Sequence, residues 1–219
     1  MKKILSFFLT LIMMIGLCGC GDYRSHADII VQQMTLEEKI GQMIMPSMRV
    51  WDDSNIVALN DELRTAITEY NLGGIMLHSE NCSNTDNMVR LVDDIQRSSR
   101  FPLLIGIEQE GGSVANINEG TNFCGNLALT ATGDSENAVQ AARAIGNELK
   151  AIGINVNFAP NGIISSNPGK AFSEGNAFSD TPQVVAEYST EYIHGLHSSQ
   201  VASVMKYFPG IGDLESEIN

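Results

Sequence analysis

Two glutamates follow a short apolar segment near the middle of the chain. Residues 103–107 are almost all apolar, which is typical of a strand buried on both faces of a parallel sheet. Glu108 and Glu110 come directly after this segment, and Gly111-Gly112 then predict a turn. A (β/α) barrel builds its active site from such side chains, at the carboxyl ends of its strands. Both glutamates are therefore candidate functional residues, although glutamate more often serves as a solvated loop acid.

Helix and strand patterns alternate on both sides of this segment. Apolar periodicity, caps and Gly or Pro stops predict helices over residues 35–42, 55–70, 85–99, 134–152 and 181–198. Short apolar segments between them predict five strands, over residues 43–45, 75–77, 103–107, 155–159 and 201–208. Strands that alternate with helices form right-handed βαβ units around a parallel sheet. The predicted fold class is therefore α/β.

Three of the helix starts carry recognisable capping residues. Thr35 and Glu38 have the spacing of a capping box. Asp134 is an N-cap candidate for the helix that Gly153 is expected to end. The last helix is predicted to begin at Thr181, which is followed by proline at the first helical position.

The first residues predict an exported protein. Two lysines precede an apolar run that is too short to span a membrane, and small residues follow it. Leu17-Cys18-Gly19-Cys20 resembles the bacterial lipobox, in which the last cysteine becomes lipid-modified. We therefore expect a signal peptide over residues 1–19, a tether over 20–34, one domain over 35–219, and an acyl anchor on Cys20. This predicts a location in the bacterial cell envelope, at the outer face of the membrane; the alternative is a plain signal peptide.

The charge of the chain excludes one class of partner. Without residues 1–19, which contain two lysines and no acid, 11 basic and 26 acidic residues remain, a formal charge of −15. So acidic a surface repels phosphate backbones, and nucleic acid is not an expected partner.

Cysteine and histidine give no convincing metal site. Cys82 and Cys124 lie in predicted loops, where they could pair, but nothing in the sequence fixes their separation. His194 and His197 are three residues apart on a predicted helix and could bind a metal, but an exposed helical face is favoured because no third ligand is evident. No metal or organic cofactor is implied.

Six segments, in this order, resemble glycoside hydrolase family 3, and most of all its bacterial β-N-acetylhexosaminidase branch. They are TLEEKIGQM, GGIMLH, IGIEQEGGSV, NVNFAP, NAFSDTP and KYFPGIGD. The resemblance implies an incomplete TIM barrel, with about five of eight βα units and a sugar site at the carboxyl ends of the strands. It implies retaining hydrolysis of O-glycosyl bonds in cell-wall or chitin-derived saccharides that contain β-linked N-acetylhexosamine.

The resemblance also assigns site positions, and this chain departs from the family at most of them. Glu108 stands where the family has an aspartate that holds sugar hydroxyls, and Asn176 stands where it has a substrate-binding arginine. Ser113 also replaces an arginine. Lys206 matches the family, but Tyr207 replaces the histidine beside it.

The catalytic groups depart further. On the loop that carries the family's Asp-His acid/base pair, Glu217 occupies the aspartate position and Asn219 the histidine position, while Ile211 stands at a His-or-Leu position. The resemblance places the aspartate nucleophile on a later strand, beyond Asn219. Glu217 is therefore a weak candidate for the acid/base group.

Three hypotheses follow for function. The first is an active glycosidase in which Glu108, Glu110 or Glu217 replaces the nucleophile. The second is a non-catalytic sugar-binding lipoprotein that binds hydroxyls through polar residues near strand ends: Glu108, Asn155, Asn157, Asn176, Lys206 and Tyr207. For Asn155 and Asn157, backbone turn chemistry is an equally good explanation. The third is an inactive N-terminal part of a larger enzyme.

Two further expectations concern partners. Because a barrel closes with eight strands, five strands leave edges that a second chain could complete. Trp51, in a predicted loop after the first strand, could stack on a sugar, but we do not select it.

Overall fold

The computed structural model describes residues 25–51, 53–165 and 176–208. The chain divides into two compact units, Met1–Lys39 and Ile40–Asn219. The helices of the described residues are α1 His26–Gln33, α2 Leu36–Gln42, α3 Asp61–Tyr70, α4 Thr85–Ser98, α5 Asn126–Ala131, α6 Glu136–Ile152 and α7 Pro182–Ser198. The strands are β1 Val50–Trp51, β2 Ser54–Asn55, β3 Gly74–Met76, β4 Leu104–Ile107, β5 Gln109–Gly111, β6 Val114–Ala115, β7 Val156–Asn157 and β8 Ala202–Ser203.

The centre of the second unit is a parallel sheet in which β3, β4, β7 and β8 lie side by side in that order. A helix follows each strand before the next one begins: α4 after β3, α5 and α6 after β4, and α7 after β7. This is the predicted succession of βαβ units, and the α/β class is confirmed. The carboxyl ends of all four strands therefore lie at the same edge of the sheet.

The hydrophobic core lies between this sheet and its helices. Ile105 and Ile107 of β4 are fully buried, as are Leu91 of α4 and Leu149 of α6. Helices α6 and α7 approach closely at Gly195, where a Cβ atom would stand 2.4 Å from the carbonyl oxygen of Val139. Only glycine allows so close an approach of the two helices.

Three predicted helices are confirmed almost to the residue. Thr35 and Glu38 form the expected capping box, with Thr35 N donating to Glu38 Oε2 at 2.9 Å and Glu38 N donating to Thr35 Oγ1 at 3.2 Å. The helices predicted over residues 85–99 and 181–198 are α4 and α7.

The prediction of a first strand over residues 43–45 is wrong. The amides of Met43 and Ile44 donate back to the carbonyls of Ile40 and Gly41, which closes a turn directly after α2. The chain meets the sheet a few residues later, where Ser47 forms a parallel bridge with Met76. The apolar residues that suggested a strand instead lie in and directly after this turn. Met43 is not part of the core, since it is 87% exposed.

The helix predicted from residue 55 begins later. Asn60 caps α3 by accepting from the amide of Leu63 at 2.8 Å, whereas β2 forms an antiparallel hairpin with β1. Trp51, predicted to lie in a loop, is in β1 and is 42% exposed. The apolar spacing that predicted the helix continues into residues 55–59, so the predicted helix began too early. Local propensity does not reveal the hairpin.

Two other boundaries differ by a few residues. Helix α6 begins at Glu136, and Asp134 accepts from the amide of Glu136 at 3.1 Å instead of serving as the N-cap. The helix ends as predicted at Gly153, which has a φ of 96°. The last strand is limited to β8, with one further bridge between Asn161 and Lys206.

Within the predicted tether, residues 26–33 form helix α1, which Ser25 caps and in which no residue is buried. The predicted signal segment and Cys20 lie outside the described residues. In the part of the chain that the structure describes, no helix is both long and apolar enough to cross a membrane.

Candidate functional site

The ammonium group of Lys206 joins two carboxylates at the carboxyl edge of the sheet. Lys206 Nζ lies 2.6 Å from Glu110 Oε1 and 3.3 Å from Glu108 Oε2. Glu108 directly follows β4, and the bridge with Asn161 places Lys206 beyond the end of β8. The structure therefore brings together three residues that the sequence separates by almost one hundred positions.

Glu110 is the buried member of this group. It is 2% exposed, and its second oxygen, Oε2, accepts from Asn126 Nδ2 at 2.9 Å. The Tyr192 hydroxyl donates to the Glu110 carbonyl oxygen at 3.0 Å. Burial raises the pKa of Glu110, an effect that the nearby Lys206 ammonium and the Asn126 amide only partly offset. Because it is enclosed and paired, Glu110 acts as the fixed anion that holds Lys206.

Lys206 is held in its charged form. Its side chain is 9% exposed, and burial opposes its charge, but the carboxylates of Glu110 and Glu108 outweigh burial and raise the pKa of Lys206. The ammonium also lies 5.7 Å from the centre of the Tyr207 ring, within the range of a cation–π contact. Lys206 thus presents a permanent positive charge next to Glu108.

Glu108 is the accessible member. Its side chain is 33% exposed, so its carboxylate can accept hydrogen bonds from a ligand in the open space beyond the sheet. The backbone around it is fixed, because the Asn116 side chain donates to the Glu108 carbonyl oxygen. The expected Gly111-Gly112 turn follows, and both glycines have a positive φ, of 100° and 59°. That turn joins β5 to β6.

The side-chain amides of Asn155 and Asn157 are hydrogen-bonded to the backbone of residues 103–109. Asn157 Oδ1 accepts from Gln109 N at 2.9 Å and its Nδ2 donates to Gln109 O at 2.8 Å. Asn155 Oδ1 accepts from Ile105 N at 2.7 Å, and its Nδ2 donates to Leu103 O at 2.9 Å. These side chains bind backbone groups about fifty residues away in the sequence, which differs from the turn chemistry that the sequence suggested.

Asn176 and Ser113 lie next to each other. Ser113 Oγ is 3.0 Å from Asn176 Oδ1, and the Asn176 carbonyl oxygen accepts from Asn126 Nδ2 at 2.8 Å. Asn126 also binds Glu110, so it connects this pair with the buried carboxylate. Two positions at which the resemblance implied arginines thus contact one another through short polar side chains.

Sequence reasoning did not select His78, although it directly follows the predicted strand 75–77. His78 Nε2 lies 2.8 Å from Ser47 Oγ. Burial lowers the pKa of His78, as does the charge of Arg49, while the carboxylates of Glu80 and Glu108 act in the opposite direction. The signal that could have found it is positional: residues that directly follow adjacent parallel strands lie side by side.

The histidines and cysteines considered for a metal or a disulfide have other surroundings in the described part of the chain. His194 Nδ1 lies 3.4 Å from Glu191 Oε2 on the exposed face of α7. Cys82 is buried, Cys124 is exposed, and both are free. Within the described residues, no group of three His, Cys, Asp or Glu side chains could hold a metal ion. Glu217, the acid/base candidate, and Ile211 and Asn219 on the same loop lie outside the described residues.

Known proteins resemble this chain over most of its length. Beta-hexosaminidase A of Pseudoalteromonas piscicida is 34% identical over 209 residues, which cover 86% of this chain and 35% of that protein. A glycoside hydrolase family 3 β-N-acetylglucosaminidase from Paenibacillus sp. str. FPU-7 has a similar structure, with a TM-score of 0.77 and 37% identity, over 84% of this chain and 35% of the other. Native NagZ from Neisseria gonorrhoeae has a TM-score of 0.70 and 26% identity, over 80% of this chain and 51% of the other.

The chain thus spans only about a third of the length of the curated relative described above, which is 35% covered. The structural neighbours confirm the predicted fold class, an incomplete (β/α) barrel. Residues 35–218 match the glycosyl hydrolase family 3 N-terminal domain. The chain therefore belongs to glycosyl hydrolase family 3.

Proposed function

We propose that this chain supplies the sugar-binding part of a glycoside hydrolase that acts on O-glycosyl bonds, of the β-N-acetylhexosaminidase type. The ligand would be an N-acetylhexosamine-containing saccharide derived from cell wall or chitin. The observation that carries the proposal is the Lys206 ammonium, fixed between the Glu110 and Glu108 carboxylates at the carboxyl edge of the sheet. That edge is where barrel enzymes bind their substrates.

The three side chains would share the work of binding. Glu108, whose side chain is 33% exposed, would accept hydrogen bonds from adjacent sugar hydroxyls. Lys206 would orient that carboxylate, while buried Glu110 balances the lysine charge. Because charge-assisted hydrogen bonds are stronger than neutral ones, one ionised acceptor in this position can fix the orientation of a sugar ring.

The hydrolytic step needs a second carboxylate. In retaining glycosidases the two catalytic carboxyl groups lie about 5–5.5 Å apart on either side of the scissile bond. Glu110 is 2% exposed and paired with Lys206, so it cannot approach an anomeric carbon. A nucleophile and an acid would therefore have to come from outside the described residues, where Glu217 occupies the acid/base loop position.

The proposal is tested by calorimetry and by a chromogenic assay on the same preparation of the chain. Titration with N-acetylglucosamine and chitobiose is expected to release heat, and Glu108→Gln should weaken binding at least about tenfold, because it removes an ionised acceptor. His194→Gln, on the exposed face of α7, is the matched control and should bind as the parent chain does. Absence of heat with both sugars contradicts the proposal.

A second candidate function is binding without turnover. It is favoured by the single accessible carboxylate among the described site residues, Glu108. An assay with p-nitrophenyl N-acetyl-β-glucosaminide distinguishes the hydrolase from the binding protein, because only hydrolysis releases p-nitrophenol. Sugar binding with no release would support a binding protein, or an enzyme part that lacks its remaining catalytic groups. Turnover that Glu108→Gln abolishes would support the first candidate.

We also propose that the protein is a lipoprotein of the bacterial cell envelope, anchored through Cys20. The support is the lipobox-like segment, residues 17–20, after a basic and apolar start. Metabolic labelling with a fatty-acid analogue should label the parent chain, and Cys20→Ala should remove the label and release the protein from the membrane fraction. A variant that keeps its label contradicts the proposal.

A further proposed partner is a second chain that completes the barrel. Among the described residues, β8 lies at one edge of the parallel sheet, and an exposed strand edge readily pairs with another chain. Light scattering after size exclusion should then give a mass above the 23.7 kDa of one chain. A strictly monomeric, folded species contradicts this part.

A further inference from the structure

His78 occupies the position beside Glu108 at the carboxyl edge of the sheet. Strands β3 and β4 are parallel, with Met76 opposite Gly106, and Leu77 N continues the ladder by donating to Gly106 O at 2.8 Å. Two residues further along each strand are His78 and Glu108. Because side chains alternate between faces, both point to the face shared by Met76 and Gly106.

The backbone of His78 is held firmly in this position. Asn81 is 1% exposed, and its Oδ1 accepts from His78 N at 2.8 Å. The same side chain donates from Nδ2 to the carbonyl oxygens of Met48, at 2.6 Å, and Ile56, at 2.8 Å. The buried side-chain amide of Asn81 thus connects the backbone at Met48, Ile56 and His78, which fixes the position from which the imidazole extends.

Ser47 fixes the orientation of the ring. Ser47 pairs with Met76 through a parallel bridge, and its hydroxyl lies 2.8 Å from His78 Nε2. Among the described residues, the ring makes its contact with Ser47 through Nε2. A neutral imidazole offers one donor and one acceptor, so a ring held by serine can still bind a sugar hydroxyl.

Burial and the charge of Arg49 favour the neutral form of the ring, against the opposing effect of the Glu80 and Glu108 carboxylates. Arg49, Glu80 and Glu108 all act on His78, and together with burial they leave its pKa below the ordinary value of 6.5. At neutral pH the ring is therefore uncharged and does not compete for the Glu108 carboxylate. When it is protonated, it becomes a cation beside Glu108 and attracts that carboxylate.

We propose that His78, oriented by Ser47, is a saccharide-binding residue that contacts the sugar hydroxyl next to the one held by Glu108. This inference rests on the proposed function, since it assigns a second ligand of the same sugar. It extends the binding surface from the β4–β8 side of the sheet to the tip of β3. The ligand class is a neutral sugar with adjacent hydroxyl groups.

Calorimetry with N-acetylglucosamine on the full chain tests the assignment. His78→Phe removes both ring nitrogens and should weaken binding about tenfold, the effect of losing roughly one hydrogen bond. His78→Gln keeps a donor and an acceptor and should weaken it less. Ser47→Ala should give an intermediate loss, while His194→Gln serves as a matched histidine control on α7 and should change nothing.

The pH profile separates a ligand role from a purely structural one. Binding to the parent chain should fall as the pH decreases through the His78 pKa, below 6.5, because the cation then engages Glu108. His78→Phe should lack this limb. Glu80→Gln should move the limb to lower pH, because it removes a carboxylate that favours the charged ring.

The outcomes distinguish this inference from the proposed function. Binding that His78→Phe weakens, with loss of the acid limb and an unchanged melting temperature, supports the inference. Parent-like affinity and pH profile in a folded His78→Phe variant overturn it and leave the proposed function intact. No binding by the parent chain, under conditions in which it is folded, overturns both.

Discussion

Lys206 Nζ lies 2.6 Å from Glu110 Oε1 in an environment where neither side chain is more than a tenth exposed. A buried ion pair of this kind contributes less than its Coulomb energy, because both charges lose their hydration. Removing one partner is costly, however, since the other charge is then left in a medium of low polarity. This asymmetry makes the pair a sensitive test of the described site.

Lys206→Met should destabilise the chain by about 3–5 kcal/mol, because Glu110 loses its counter-charge. The double variant Lys206→Met/Glu110→Gln should recover part of this loss, since no buried charge remains. Urea unfolding followed by circular dichroism measures both. If the double variant is less stable than Lys206→Met alone, the unpaired charge of buried Glu110 is not the reason for the loss of stability in Lys206→Met.

The pH dependence of these variants has a definite sign. Burial raises the pKa of Glu110, and without Lys206 nothing of comparable strength opposes it. In Lys206→Met the unfolding free energy should therefore rise as the pH falls from neutrality towards 5, because protonation of Glu110 relieves its burial cost. The double variant should lack this rise. In the parent chain, the contribution of Lys206 is complete below 10.5, its ordinary pKa, and is lost as the pH rises through its higher folded pKa.

Asn157→Ala should destabilise the chain by about 1–3 kcal/mol, because it removes two buried hydrogen bonds to the backbone amide and carbonyl of Gln109. Thermal and urea unfolding measure the loss. Asn87→Ala is the control: its side chain makes an exposed hydrogen bond on α4, and its removal should cost less than about 1 kcal/mol. Equal effects of the two substitutions would contradict a backbone role for Asn157.

Tyr192→Phe removes a buried hydroxyl that donates to the Glu110 carbonyl oxygen at 3.0 Å. The ring itself packs edge-on against Phe178, with centroids 6.3 Å apart, and phenylalanine preserves that contact. The expected cost is therefore about 1–2 kcal/mol, that of one buried hydrogen bond. A fully stable variant would indicate that the Glu110 carbonyl finds another donor, which hydrogen exchange at β5 would reveal.

The two cysteines of the second unit should differ sharply in reactivity. Cys82 is 4% exposed, and burial raises its pKa to about 12, so little thiolate is available. Cys124 is exposed. A maleimide reagent should therefore label Cys124 in the native chain and Cys82 only in denaturant, as mass spectrometry of Cys82→Ala and Cys124→Ala can show. Rapid native labelling of Cys82 would contradict the packing around it.

Much of the fold could be predicted because it depends on local signals. Alternating helix and strand patterns gave the parallel sheet, the Thr35–Glu38 spacing gave a capping box, and Gly153 marked the end of α6. Ordered motif similarity gave the family. These features need no knowledge of distant contacts, which is why sequence reasoning reaches them.

The rest depended on pairing between distant segments. Nothing local distinguishes the apolar turn at residues 43–45 from a strand, because the difference lies in the bridge that Ser47 makes with Met76. The same limit applies to the site. Glu110 resembles a solvated loop acid in sequence, and its burial is understood only from its contacts with the distant residues Lys206 and Asn126. His78 lies next to Glu108 because of the register between β3 and β4, and that register cannot be read from a single sequence.

Two asparagines explain how so short a strand as β7 keeps its place. Strand β7 contributes only two residues to the ladder. Asn155, directly before it, binds the backbone of Leu103 and Ile105, and Asn157, its last residue, binds the backbone of Gln109, in each case with a donor and an acceptor. These side-chain hydrogen bonds fix the alignment of β7 with residues 103–109 at both ends of β7. Slippage by one residue would break four hydrogen bonds at once. Because Asn157 holds both backbone groups of Gln109, it also fixes the chain direction at the preceding residue, Glu108.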